Sequence, residues 1–251
     1  MRGFGPMLSK ELREYTRTWR LWLLGGLFAF FGLVDPVISR FAPEILSTVL
    51  RDQVPIQLPD PTYLDAAVQW TSDLTQLLML VVLGVAGAAV AGEVSAGNHV
   101  MPLTRPLSRD AFLLSKVVAV ILAAALAAVV GTGLASLTTL ALFDDVDLLP
   151  LWTAVLVWFV LALLLVAVTV AAASAISSTV AALGIGFGTY VLLGILGMWG
   201  PARSYSPAGL PAAIGDAAGG GEVALWPVLT GLVAVVVVLG LAVAIFRRRE
   251  L

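Results

Sequence analysis

Cysteine is absent from the 251-residue chain, and histidine occurs once, at His99. The first absence excludes disulfides, thiolate metal sites and cysteine nucleophiles. An intramembrane protease needs a paired base and nucleophile, or a metal site with several ligands, built from histidines or acids within the membrane; with one histidine and neither H-E-x-x-H nor G-x-S-x-G present, no such enzyme is expected. The chain also lacks G-x-x-x-x-G-K-[ST], so it cannot cradle nucleotide phosphates in a P-loop. Charge is scarce too: 12% of residues carry it, against about 25% in an ordinary soluble domain. A net charge of −2 argues against a nucleic-acid partner.

What is present is apolar sequence, 60% of residues, with a mean hydropathy of +1.01. About 20 apolar residues carry a helix across the roughly 30 Å hydrocarbon core. Such runs extend from Leu74 to Ala91, Val117 to Phe143, Leu148 to Trp199 (long enough for two crossings and a turn) and Val223 to Phe246. Leu21 to Val34 is a shorter sixth. Arg20 can snorkel at one end of it, Trp19 or Trp22 can anchor there, and Pro36 to Ile38 extend the other. A cleaved signal peptide is the competing reading of this start, but no small-x-small site follows Val34.

Cytoplasmic loops carry an excess of Lys and Arg. Six spans with both termini inside gather Arg2, Lys10, Arg13, Arg17, Arg20, Arg105, Arg109, Lys116 and Arg247 to Arg249 on one side, leaving Arg40, Arg51 and Arg203 outside. Asp144, Asp145 and Asp147 then share an external turn. The tryptophans Trp19, Trp22, Trp70, Trp152, Trp199 and Trp226 fall near span ends, where amphipathic rings anchor, and Trp158 sits deeper.

Small residues at four-residue spacing let membrane helices approach closely. The ladders Gly84, Ala88 and Gly92, then Ala123, Ala127, Gly131 and Ala135, then Gly184 and Gly188 are expected to face other helices. Before the first span, Leu8, Leu12, Tyr15 and Trp19 form one face and Lys10, Glu11, Arg13, Glu14 and Arg17 the other, the pattern of a helix lying in the interface plane. Outside, Gly200 to Gly221 is broken by Pro201, Pro207 and Pro211. It reads as a loop or a pair of short interfacial helices.

Ion-coupled transporters place ionisable groups near the midplane. None occurs from Val117 to Phe143, Leu148 to Ala202 or Val223 to Phe246, and Asp73 falls at the outer edge of its run. Energy for uphill movement is therefore expected from another polypeptide. The longest cytoplasmic loop between spans, residues 91 to 110, is where such a motor would push.

In that loop Glu93, Gly97, Leu103, Pro106, Ser108, Arg109 and Lys116 follow the order acid, Gly, Leu, Pro-x-Ser-Arg, Lys. The order resembles the type-2 ATP-binding-cassette (ABC) transporter permeases, as does the opening Lys10-Glu11-Leu12-Arg13-Glu14. Asn98 stands where that family has threonine, and Ser115 where it has glycine. The resemblance implies an all-α fold: a polytopic membrane protein of six transmembrane helices, termini cytoplasmic, with the N-terminal interfacial helix in front. It also implies one permease domain over 1–251 in the plasma membrane. The loop would form a coupling helix that docks on a separate ABC ATPase subunit. ATP would be bound there and no cofactor here, and two permease subunits, identical or different, would work together as an exporter. The alternative is a non-transporting membrane scaffold or assembly factor. His99 is expected to be a solvated loop residue, and Arg247 to Arg249 a cytoplasmic anchor.

Overall fold

The computed structural model describes residues 3–49, 59–95, 108–176 and 178–248, with side chains except at 46–49 and 92–95. Within these residues all regular structure is helical. Helix α1 (Phe4–Arg17) is followed after Thr18 by α2 (Trp19–Val49). Helix α3 (Tyr63–Asp73) runs through a π-helical turn (Leu74–Leu78) into α4 (Met79–Ser95). Then come α5 (Arg109–Leu142), α6 (Leu149–Ala175) and α7 (Thr179–Leu196). Two short helices, α8 (Gly200–Tyr205) and α9 (Leu210–Ala218), precede α10 (Leu225–Arg248).

Among the described residues six helices are long and apolar enough to cross a membrane: Trp19–Ile45, Tyr63–Ala91, Arg109–Leu142, Leu149–Ala175, Thr179–Leu196 and Leu225–Arg248. The number agrees with the sequence; two boundaries do not. The first helix does not stop at Val34 but continues through Asp35, Pro36 and Pro43. Pro36 removes only one helical N–H, and Asp35 is hidden by packing, so neither ends the helix. The second begins at Tyr63 rather than Leu74. A capping box starts it: Asp65 N–H donates to the Thr62 carbonyl, and Thr62 N–H donates to Asp65 Oδ2 at 2.7 Å. Asp65, Gln69 and Asp73 interrupt the apolar pattern of that first stretch, which is why it does not read as a span.

The centre of the bundle is an aromatic knot. Phe28 meets Trp70 and Trp158 edge-on, with ring centroids 6.4 and 6.2 Å apart. Both indoles are fully buried and both N–H groups donate, Trp70 to Thr132 Oγ1 (3.2 Å) and Trp158 to the Leu74 carbonyl (3.0 Å). Trp70 is thus a core residue and not the interfacial anchor expected from its position. A π turn disturbs the regular i→i−4 ladder, and the Trp158 indole gives its first carbonyl a donor from another helix. Trp19, Trp22, Trp199 and Trp226 do lie exposed.

Close backbone approach joins α2 to α5. A Cβ on Gly32 would fall 2.2 Å from the Gly131 carbonyl oxygen, and one on Gly131 would fall 2.7 Å from both the Phe28 carbonyl oxygen and the Trp70 ring. The ladder Ala123, Ala127, Gly131, Ala135 is buried throughout, as its spacing predicts. Gly184 and Gly188 are the opposite case. They have nothing within 4 Å, and the residue of α7 that meets a helix is Gly186, where a Cβ would strike Thr169 Oγ1. Spacing of four identifies a stripe but not which stripe is covered, and in α7 the covered one contains Ala182 and Gly186. A Cβ on Gly84 would make only an ordinary contact with Leu183, whereas one on Gly87 would lie closer to its neighbour, 3.3 Å from the Thr179 carbonyl oxygen.

At the end of the bundle opposite α1, the Gly200 to Gly221 segment is a pair of short helices, one of the two expected forms, but α9 is packed inward. Leu210, Ala213, Ile214, Ala217 and Ala218 are buried, against α6 and α3. Arg203 and Asp216 close the pair at 3.1 Å on its exposed side. The apolar windows of α2, α7 and α10 are 28, 11 and 17% buried, against 56 to 67% for the other three spans. Those three helices therefore form most of the outer apolar surface.

Candidate functional site

The charged residues gather where α1, the start of α5 and the end of α10 meet. Ser108 caps α5: its Oγ accepts from the Ala111 N–H at 3.2 Å, and its carbonyl accepts from the Phe112 N–H. Arg109 donates from Nη1 to the Arg247 carbonyl at 3.1 Å, near the C-terminus of α10, where helical carbonyls lack donors. Asp110 takes a two-pronged hydrogen bond from the Arg247 guanidinium, Nε to Oδ1 at 2.6 Å and Nη2 to Oδ2. Beneath them Phe112 and Phe246 stack, 5.8 Å between centroids and 11° between planes. Arg247, expected as a cytoplasmic anchor, also joins α10 to the base of α5 through this partly exposed pair.

One turn deeper, Lys116 and Glu11 form an ion pair at 3.1 Å in which both side chains are 1% exposed. Lys116 Nζ also lies 5.1 Å from the Phe112 ring centroid. The α1 helix is held to the bundle by this pair and by Met7 and Tyr15, the stripe that i, i+4, i+8 spacing puts on one face. Burial raises the pKa of the Tyr15 phenol, against an opposing pull from Arg20.

Glu11 departs from the expected face of α1: assigned to the solvated side with Lys10, Arg13 and Glu14, it is buried, while of the residues assigned to the apolar side Tyr15 is buried, Leu8 half-buried, and Leu12 and Trp19 exposed. The physical cause is Lys116. A cation enclosed by helices needs an acid, and α1 rolls to supply one. Arg13 points outward, and Lys10 and Glu14 form a partly exposed pair at 3.4 Å. The exposed rim of α1, formed by Pro6, Ser9, Lys10, Arg13, Glu14 and Arg17, outlines a shallow groove.

Of the sequence-predicted loop residues, Ser108 and Arg109 are brought into this cluster. Glu93 lies on the last turn of α4, its side chain outside the described residues, as are Gly97, Asn98, Leu103 and Pro106. The residues missed are Asp110, Phe112 and Phe246. The partnership of Glu11 with Lys116 was also missed, although a lysine two turns inside a 34-residue apolar helix signals a buried partner. Among the described residues no group of three or more His, Cys, Asp or Glu side chains could hold a metal ion.

Among the described residues, six helices of membrane length with ion pairs gathered where α1, α5 and α10 meet define a polytopic helical membrane protein. The chain matches the family described as ABC-2 family transporter protein over residues 6–203, from within α1 through α8, and it belongs to that family. It is thus the multi-pass membrane component of an ABC-2 transporter, a family whose members are typically non-catalytic and which implies association with an ATPase subunit. Comparison with curated proteins yields no match.

Proposed function

We propose that the chain is the permease subunit of an ABC exporter. In this reading its termini and the 96–107 loop face the cytoplasm, and the loop docks on a separate ATPase subunit. Two such permeases line the path, ATP being bound and hydrolysed on the motor. The asymmetry of charge supports this orientation. Lys10, Arg13, Arg17, Arg20, Arg109, Lys116, Arg247 and Arg248 belong to the elements of one end, while Asp144, Asp145 and Asp147 occupy the turn between α5 and α6 at the other.

The observation that carries the reading is the Glu11–Lys116 pair. The chain enters α5 at the Ser108 cap, and α5 is tied to α1 by that buried pair and joined to α10 by Asp110–Arg247. A push on the loop is therefore delivered to three helices together instead of being lost in a loose linker. The α1 rim, with Arg13 and Arg17 exposed, supplies a second polar surface beside the loop for the motor, and α1 would lie along the headgroup layer with Leu12 and Trp19 towards lipid.

Co-purification tests the assignment. The full chain, co-expressed with candidate P-loop ATPases, is expected to retain one of them on affinity capture. Glu93→Ala and Arg109→Ala are each expected to reduce the retained amount. Wild-type retention by both variants would remove the loop from the interface. Absence of any P-loop ATPase would favour a scaffold role instead.

A further inference from the structure

Asp35 is an acid that the coupling function leaves unused. It sits about 24 Å along α2 from Trp19, far from the basic cluster, and its side chain is 0% exposed. Neither carboxyl oxygen has a hydrogen-bond partner, and one turn on, the buried Ser39 Oγ has none either. The acid that faces Asp35 is Asp73 on α3, whose Oδ2 accepts from Gln69 Nε2 at 3.1 Å. The sequence offers no compensating base from the packed elements. Helix α5 carries none from Val117 to its end, and the stretch from Leu74 to Ala91 carries none. On α2 itself, Arg40 is five residues on, about 140° around the helix, and Glu44 is a further turn away.

An ionised carboxylate enclosed by apolar helices without a donor is strongly disfavoured, and the half-buried carboxyl of Asp73 facing it adds repulsion. The side chain is covered completely, which leaves no room for a hydrated cation or an ammonium group. A proton needs none. It also supplies the missing donor, because two ionised carboxyls present only acceptors to each other. The Gln69 amide already donates to Asp73, so the carboxyl left without any donor is that of Asp35.

We propose that Asp35 and Asp73 form a single-proton site between α2 and α3, filled while these helices are packed as seen and emptied when they part. On emptying, the Asp35 O–H bond breaks, the proton passes to water and a hydrated carboxylate remains. Release to the external side rests on the orientation proposed above. The existence of the site does not, and it is tested separately.

The test is infrared spectroscopy of the full chain reconstituted in phospholipid vesicles at neutral pH. Wild type is expected to show the carbonyl stretch of an un-ionised carboxyl, shifted in deuterated water. Asp35→Asn, which preserves shape, should lose that band. Asp73→Asn removes the like charge and offers an amide donor, so the band should disappear at lower pH than in wild type as the medium is made more alkaline. The proposal is overturned if wild type lacks the band at neutral pH, if the band survives Asp35→Asn, or if Asp73→Asn titrates like wild type. Vesicle orientation affects none of these outcomes, so failure here leaves the ATPase reading untouched.

Discussion

Removing the acid of the buried Glu11–Lys116 pair is the most revealing perturbation of the basic end. At 3.1 Å the attraction between the two charges is about 5 kcal/mol at an effective dielectric constant of about 20. Much of that offsets desolvation, so the informative quantity is the cost of stranding one partner, roughly 3–5 kcal/mol for a buried pair. Glu11→Ala leaves an uncompensated ammonium at a site 1% exposed and should cost that much. Lys116→Met should cost a similar amount by stranding the acid and losing the contact with Phe112. The double variant carries neither charge. It should therefore be more stable than the sum of the single effects implies, with a coupling of about 1–3 kcal/mol. Unfolding of the purified chain by a denaturing detergent in mixed micelles, followed through its seven tryptophans, reads these differences. Glu14→Ala is the control. Its pair with Lys10 is partly exposed, and such pairs contribute about 0–1 kcal/mol. Coupling below about 0.5 kcal/mol, or a Glu11→Ala cost no larger than that of Glu14→Ala, would refute the view that α1 is locked to α5 by charge.

Three further outcomes follow from the packing. Gly131→Ala drives a methyl group to 2.7 Å from the Phe28 carbonyl oxygen and should destabilise by about 1–3 kcal/mol, while Gly184→Ala, with open space at its Cβ, should be neutral in the same thermal melt. Trp158→Phe removes the donor to the Leu74 carbonyl and should cost about 1–3 kcal/mol, whereas Trp226→Phe, at an exposed ring, should change little. Ser108→Ala deletes the α5 cap and should cost about 1 kcal/mol, read as faster amide hydrogen exchange at Ala111 and its neighbours.

The helix count was legible because a membrane imposes a length on every apolar run and a charge bias on every loop. Boundaries were harder wherever a polar residue is satisfied by a distant part of the chain. Asp35 ends an apolar run in sequence, but in the folded chain it is covered and faces α3. Asp65, Gln69 and Asp73 break the pattern of a stretch whose Trp70 nonetheless belongs to the core. The ranges read as free of ionisable groups, Val117 to Phe143, Leu148 to Ala202 and Val223 to Phe246, do not include Asp35, which follows the Leu21 to Val34 run directly. The face of α1 was misread because periodicity weighs Glu11 as solvated, and only the lysine 105 positions later reverses that. Ser108 and Arg109 were legible as a loop's end, a serine before an amphipathic start being a cap signal, whereas Asp110–Arg247 joins residues 137 positions apart and has no local trace.

Site-specific crosslinking tests the central claim, that a soluble motor grips this chain through its 96–107 loop, most directly. With a photoreactive residue at Leu103 in cells, the account predicts an adduct to a P-loop ATPase, identified by mass spectrometry, and no such adduct from Asp144. Adducts to that ATPase from Asp144, or none from Leu103 while the co-purified complex is present, would contradict it.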